Sequence, residues 1–101
     1  MIPIVLTSFP SVEEAKNIAK TLVQERLVGY FQVVAVESGY RIGDVVKDSV
    51  EAVCLLHTVT EHIDRLELRL KSLHPNDVPQ FIVIESASAS QAYLDWFLSL
   101  V

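Results

Sequence analysis

The chain has 101 residues, half of them hydrophobic, and a formal net charge of −5 at pH 7. This length fits one domain, predicted to span residues 1–101, and the negative charge with eight scattered lysines and arginines argues against nucleic acid as a partner. The single cysteine excludes a disulfide scaffold, and no apolar run reaches the roughly 20 residues of a membrane span, so a cytoplasmic protein is expected.

The first predicted elements are a strand and an amphipathic helix. Ile2 to Leu6 is a short, β-branched apolar run that indicates a buried strand, and Thr7 to Pro10 is expected to break it. Ser11 and Glu14 form a capping box, after which apolar residues recur at helical spacing. Gly29 is well placed to end this helix.

The middle of the chain predicts a long β-hairpin. Tyr30 to Val36 is almost continuously apolar, which fits a strand that is covered on both faces. Gly43 and Asp44 are typical of a hairpin turn, and Val45 to Val59 is predicted to return as a second long strand.

The last third of the chain predicts a helix, a strand and a further helix. Thr60 can cap the first of these helices, and His74-Pro75 is expected to end it. Phe81 to Ile84 indicates a strand, and Ser88 with Gln91 forms another capping box. The face of the final helix is aromatic and is interpreted as core packing: Tyr93, Trp96 and Phe97.

The order of the predicted elements is typical of an α+β, ferredoxin-like βαββαβ sandwich with a long β2-β3 hairpin and a C-terminal helix. Each of the two main helices has one apolar stripe, so both should cover the same face of the sheet. The other face and the hairpin would leave apolar area exposed in a monomer. Self-association is therefore expected.

Several motifs along the chain together carry a family resemblance. They are L-H-P-N-D-V-P at Leu73 to Pro79, A-K-T-L-V-Q-E-R-L at Ala19 to Leu27, Tyr40, Glu51, Thr58, and Y-L-D-W at Tyr93 to Trp96. By these motifs the whole chain resembles the CutA (divalent-cation tolerance) family. The resemblance implies a non-enzymatic homotrimer associated with tolerance of copper and other divalent metals. It implies no required cofactor, and it implies clefts between subunits where ions or small ligands could bind.

The chain departs from the family pattern at several positions. They are the segment Gly29 to Gln32 after the first helix, Ile42 and Asp44 where the hairpin usually has tryptophan and glycine, His57 in place of a lysine, and Asn76 in place of a tyrosine. The fold needs none of the usual residues. The departures fall where the resemblance places the clefts between subunits. They therefore affect whether this chain binds the ligands or metals that the family binds.

His74 is the metal-ligand candidate. The resemblance implies copper ligation by a cysteine near the end of the first strand and by a histidine pair before the proline, where this chain has Thr7 and Leu73-His74. One imidazole remains, which could bind copper(II) together with water or a carboxylate of another chain. The alternative is a histidine that stabilises the helix end. Cys54 lies in an apolar strand and is expected to be an inert core residue.

Tyr40, Glu51 and His57 are the candidate cleft residues. Glu51 and His57 share one face of a strand but lie roughly 20 Å apart, so each would need a partner from a neighbouring subunit. The alternative for them is a solvated or interfacial ion pair. Two other functions stay open: a PII-like trimeric sensor of small ligands, for which a Gly-rich loop is missing, and a small ferredoxin-like enzyme using His57 with Tyr40.

Overall fold

The computed structural model describes residues 2–86 and 88–101. Within these ranges the chain forms four strands and three α-helices, and none of the helices is long and apolar enough to cross a membrane. The elements are β1 (Ile4–Phe9), α1 (Val12–Gln24), β2 (Tyr30–Ile42), β3 (Val45–His57), α2 (Ile63–Leu73), β4 (Ile82–Ile84) and α3 (Gln91–Leu98), with a 3-10 turn (Thr60–His62) before α2.

The strands form one antiparallel sheet in the order β2-β3-β1-β4, with β1 and β3 at its centre. Helices α1 and α2 cover one face, where Leu22, Leu66 and Leu70 join Val5 and Leu56 of the central strands in one buried core. Both apolar stripes therefore pack on the same side of the sheet, as expected. The architecture is the predicted ferredoxin-like α+β sandwich.

Strand β1 is shifted from its predicted position. It begins at Ile4 and continues to Phe9, so the break expected at Thr7 is wrong. Thr7 and Phe9 are buried on the helix-covered face and pair with Cys54 and Ala52 of β3. β1 is hydrogen-bonded to β3 through this segment, and threonine and phenylalanine both favour strands. The strand therefore continues as far as Pro10, which has no amide hydrogen to donate to the sheet.

The start of α1 is confirmed, and its predicted end is wrong. Ser11 Oγ accepts a hydrogen bond from the Glu14 amide at 3.2 Å. The helix ends at Gln24, and the chain turns at Arg26, whose φ of 60° lies in the left-handed region. Gly29 lies beyond the helix, directly before β2, where its amide donates to the carbonyl of His57 at 3.0 Å.

The hairpin is longer than the apolar run that predicted it. Strands β2 and β3 pair over 13 residues each, from Tyr30 opposite His57 to Ile42 opposite Val45. Gly43, the first of the two turn residues, has a φ of 59°, as a type II′ turn requires. The far half of the hairpin projects beyond the helices, which gives the molecule its long dimension of 47 Å.

Two predicted helix caps are wrong. Thr60 does not cap α2; it opens the 3-10 turn, and α2 begins at Ile63 without a capping side chain. Ser88 does not cap α3, because Ser90 is the residue that directly precedes the helix in extended conformation. The Oγ atom of Ser90 accepts from the amide of Tyr93 at 3.2 Å.

Helix α3 lies on the other face of the sheet and covers only the end formed by Tyr30 and His57. Phe97 is fully buried there, as expected of a core residue, whereas Trp96 keeps 47% of its surface exposed. The interpretation of the aromatic stripe as core is therefore right for Phe97 and wrong for Trp96. We call the uncovered remainder of this side the open face; it includes Val34, Ile82 and Ile84.

Candidate functional site

His74 caps the C-terminal end of α2, and both of its ring nitrogens are engaged. Its amide donates to the carbonyl of Leu70 at 2.8 Å. Nδ1 accepts from the amide of Asn76 at 3.1 Å, so the ring proton lies on Nε2, which donates to the Ser8 carbonyl at 2.7 Å. The imidazole also stacks on Phe9, with 4.4 Å between ring centroids.

This bonding favours the helix-end role of His74 over the metal-ligand role. A neutral imidazole ligates a metal through one unprotonated nitrogen, and in His74 that nitrogen already accepts from Asn76. A metal ion would have to displace this hydrogen bond. Within residues 2–86 and 88–101, moreover, no group of three or more His, Cys, Asp and Glu side chains is placed to hold a metal. Ligation by His74 stays a prediction.

Cys54 is the inert core residue that the sequence predicted. It is fully buried on β3 opposite Thr7. Burial raises the pKa of its thiol to about 12, so the thiolate that binds soft metals or reacts with electrophiles does not form near neutral pH. Thr7, at the position where the resemblance places a ligating cysteine, offers only a buried hydroxyl group.

The three cleft candidates lie along the hairpin and do not meet within one chain. Tyr40 is near the tip opposite Lys47, and Glu51 lies in the middle of β3 opposite Val36. His57 is at the base, about 20 Å from Glu51 along the strand. The acid–base pair of His57 and Tyr40, which an enzyme would need, is therefore not formed in one subunit.

His57 is instead surrounded by a group of side chains that the sequence reading did not bring together. Its Nε2–H donates to Gln32 Oε1 at 3.1 Å, and its Nδ1 lies 3.4 Å from the hydroxyl of Tyr93. The Tyr30 ring packs edge-to-face with the imidazole, with 5.0 Å between the ring centroids. Burial lowers the pKa of His57, so the neutral imidazole is favoured at this position. We call this group the base cluster: Tyr30, Gln32, His57, Tyr93, Trp96 and Phe97.

Three of the six residues of the base cluster could be placed side by side from the sequence: Tyr30, Gln32 and His57. In paired strands residues two apart share a face, so Tyr30 and Gln32 would be expected beside His57 once the hairpin register is known. The spacing of Tyr93, Trp96 and Phe97 shows only that they share one side of a helix. Nothing in that spacing says which face of the sheet the helix covers.

Comparisons with known proteins agree with the fold. A family model described as CutA1 divalent ion tolerance protein matches residues 3–99. The divalent-cation tolerance protein CutA of Thermus thermophilus is 41% identical over 95 residues, which cover 92% of this chain and 91% of that protein. The crystal structure of CutA1 from Pyrococcus horikoshii is 32% identical and has a TM-score of 0.91, covering 99% of this chain and 97% of the other. CutA from Synechococcus elongatus is 27% identical and reaches a TM-score of 0.93, covering 98% and 88%.

Proposed function

The chain belongs to the CutA1 family of divalent ion tolerance proteins, and we propose that it works as a non-enzymatic homotrimer in the tolerance of divalent metals, copper among them. Its relatives carry the name of divalent-cation tolerance proteins. The observation that carries the assembly is the open face of the sheet. The PII-like and enzymatic alternatives have no observation in their favour.

The open face is apolar and lies between two free sheet edges. Val34, Ile82 and Ile84 expose 52%, 47% and 45% of their surfaces there. In the part of the chain that the structure describes, the outer edges of β2 and β4 pair with no strand. An apolar face with unpaired edges is a ready contact surface for another copy of the chain, because association buries the face and pairs the edges.

The projecting half of the hairpin exposes further apolar side chains. Val45 and Val46 expose 66% and 72% of their surfaces, and Ile42 exposes 55%. Isolated two-stranded hairpins are marginally stable in water, so a long one needs packing from elsewhere. The helices of its own subunit do not reach the tip. We propose that neighbouring subunits cover the projecting half of the hairpin. The family resemblance supports a closed ring of three copies as the assembly.

The cleft candidates fit this arrangement. The pairing register gives Tyr40, Glu51 and His57 the same strand parity as Val34, so all three belong to the open-face side of the hairpin. In an assembly through this face, side chains that are far apart within one chain would meet groups from a neighbour. We propose that small ligands or ions bind in the resulting clefts, with no cofactor needed for folding.

We propose that His74 is at most a weak copper(II) ligand, because its free nitrogen is already hydrogen-bonded. The proposed location is the cytoplasm, where thiols stay reduced; a buried, free Cys54 fits this compartment. Fractionation of cells that produce the protein would check the location.

The assembly and the physiological role need separate tests. Light scattering at micromolar concentration should give about three times the chain mass of 11.3 kDa, and a stable monomer would contradict the trimer. A deletion strain should grow less well than its parent in elevated copper, and the gene should restore growth. Equal growth of both strains across copper, zinc and cobalt would contradict the tolerance role.

A further inference from the structure

Helix α3 is held on the sheet by few side chains, and His57 lies at the centre of their contacts. The hydroxyl of Tyr93 is 3.4 Å from His57 Nδ1. The buried ring of Phe97 lies 6.5 Å from the imidazole, centroid to centroid. Trp96 packs edge-to-face with Tyr30, with 5.9 Å between the ring centroids. The protonation state of the His57 ring therefore affects how α3 packs on the sheet, and we call the packed arrangement the seated state of α3.

The hydrogen bonds fit a neutral imidazole with its proton on Nε2. Gln32 Oε1 can only accept, so Nε2 is the donor in that contact, and Nδ1 of the neutral ring is then the acceptor for the hydroxyl of Tyr93. Protonation of His57 would turn Nδ1 into a donor. The bond to Tyr93 would then reverse, with the hydroxyl oxygen accepting, and a positive charge would be placed at a half-buried position.

Among residues 2–86 and 88–101 of a single chain, no acidic side chain forms an ion pair with His57 that would compensate for that charge. The groups that face His57 from the elements packed against it are uncharged: Ile4 from β1, Tyr30 and Gln32 from β2, and Tyr93 and Phe97 from α3. On its own strand the nearest acid, Glu51, is about 20 Å away. A half-buried cation without an anionic partner is unfavourable compared with a hydrated one.

We propose that His57 is a proton-sensitive latch for α3, closed when the imidazole is neutral and opened by protonation. Opening exposes the ring to water, which hydrates the imidazolium. Because burial lowers the pKa of His57 in the seated state, seating is strongest above the ordinary histidine value of about 6.5 and weakens as the pH falls through the lower, seated value. The latch lies within one chain and goes beyond the proposed role in metal tolerance.

The single tryptophan of the chain is a local reporter of the latch. Trp96 sits on α3, with its ring 5.9 Å from Tyr30 and 5.7 Å from Tyr93. Tryptophan emission and deuterium exchange of α3 amides, corrected for intrinsic rates, are measured on the full chain between pH 8 and pH 5. Acidification should shift the emission to the red and raise α3 exchange several-fold, with the midpoint below the ordinary histidine value.

Substitutions test whether His57 is the group whose protonation causes this transition. His57→Gln, which keeps a polar side chain without a titrating ring, should make emission and α3 exchange independent of pH. The matched control His62→Gln should behave like the wild type, since His62 directly precedes α2 and is not part of the base cluster. His57→Asn is a second variant without a titrating ring and should also be independent of pH; this keeps the test informative if His57→Gln does not fold.

Four results would overturn the latch. The first is a pH transition that persists in His57→Gln. The second is a transition that disappears with His74→Gln instead, which would assign the proton to His74. The third is an emission change without faster α3 exchange, which would mean that the imidazolium merely quenches Trp96. The fourth is an unchanged pH response in His57→Asn.

Discussion

Gly29 lies directly against the ring of Phe97. A Cβ atom at Gly29 would stand 2.9 Å from Phe97 Cε1 and 2.9 Å from Cγ1 of Val101. The φ of Gly29 is not in the left-handed region, so its backbone suits any residue and only the missing side chain matters. This close approach lets the C-terminal segment close over the base of the hairpin.

Replacing Gly29 with alanine should therefore destabilise the protein by overpacking. We expect Gly29→Ala to lower the free energy of unfolding by about 1–3 kcal/mol, measured by urea denaturation at fixed protein concentration. Gly39→Ala is the matched control, because its Cβ would come no closer than 3.4 Å to Asp48 Oδ1 on the exposed hairpin. Equal stability of the two variants would show that the contact with Phe97 is not restrictive.

Thr7 and Thr58 should respond in opposite directions to the same substitution. Both are fully buried, but Thr7 Oγ1 has no hydrogen-bond partner among the described residues, whereas Thr58 Oγ1 donates to the Leu27 carbonyl at 2.6 Å. Thr7→Val removes an unsatisfied hydroxyl and should raise stability by about 1 kcal/mol; Thr58→Val should lower it by about 1–3 kcal/mol. Unfolding curves that move in the same direction would contradict this assignment.

Cys54 should be unreactive in the native protein. With its pKa raised to about 12 and no exposed surface, it forms almost no thiolate at pH 8. A chromogenic disulfide reagent should label no thiol in the folded chain and one thiol in urea. Val78→Cys, at a position with 88% exposure, is the positive control and should add one rapidly labelled thiol. Fast labelling of the native wild type would mean that β3 is accessible.

A charge on the open face should prevent assembly. Val34 is 52% exposed in the single chain, and Val34→Lys would place an unpaired ammonium in the proposed interface. Light scattering should detect monomer, with circular dichroism to check that the chain is folded. Leu68→Lys, 71% exposed on α2 and away from the open face, should keep the mass of the wild type. A trimer formed by Val34→Lys would place the interface elsewhere.

Substitution of His74 should affect stability more than metal binding. His74→Ala removes two ring hydrogen bonds and the stacking on Phe9, so we expect a loss of about 2–4 kcal/mol. Calorimetry with copper(II) should show weak binding to the wild type and to His62→Ala, and still weaker binding to His74→Ala. Equal affinity in all three would exclude His74 as a ligand, and tight copper(I) binding that is lost in Cys54→Ser would contradict the buried state of Cys54.

Features that depend on neighbours in the chain could be predicted well. Ser11 caps α1 because its hydroxyl reaches an amide three residues on, and His74-Pro75 ends α2 because proline restricts the residue before it. The turn at Gly43 and the apolar stripe of α2 follow from the same local rules. Together these signals determined the order of the elements and hence the sandwich.

Other features were decided only when distant segments met. The length of β1 depends on its pairing with β3, and the role of Gly29 depends on Phe97, which lies 68 positions later in the sequence. His57 was predicted to be a cleft residue, and only the packing of α3 brings the hydroxyl of Tyr93 to it. The amino-acid sequence by itself determined the elements, their order and the surplus of apolar surface, since these follow from local backbone preferences and side-chain periodicity. Only the tertiary structure decided which face α3 covers, and therefore the surroundings of His57, because that choice depends on packing between residues that share no local pattern.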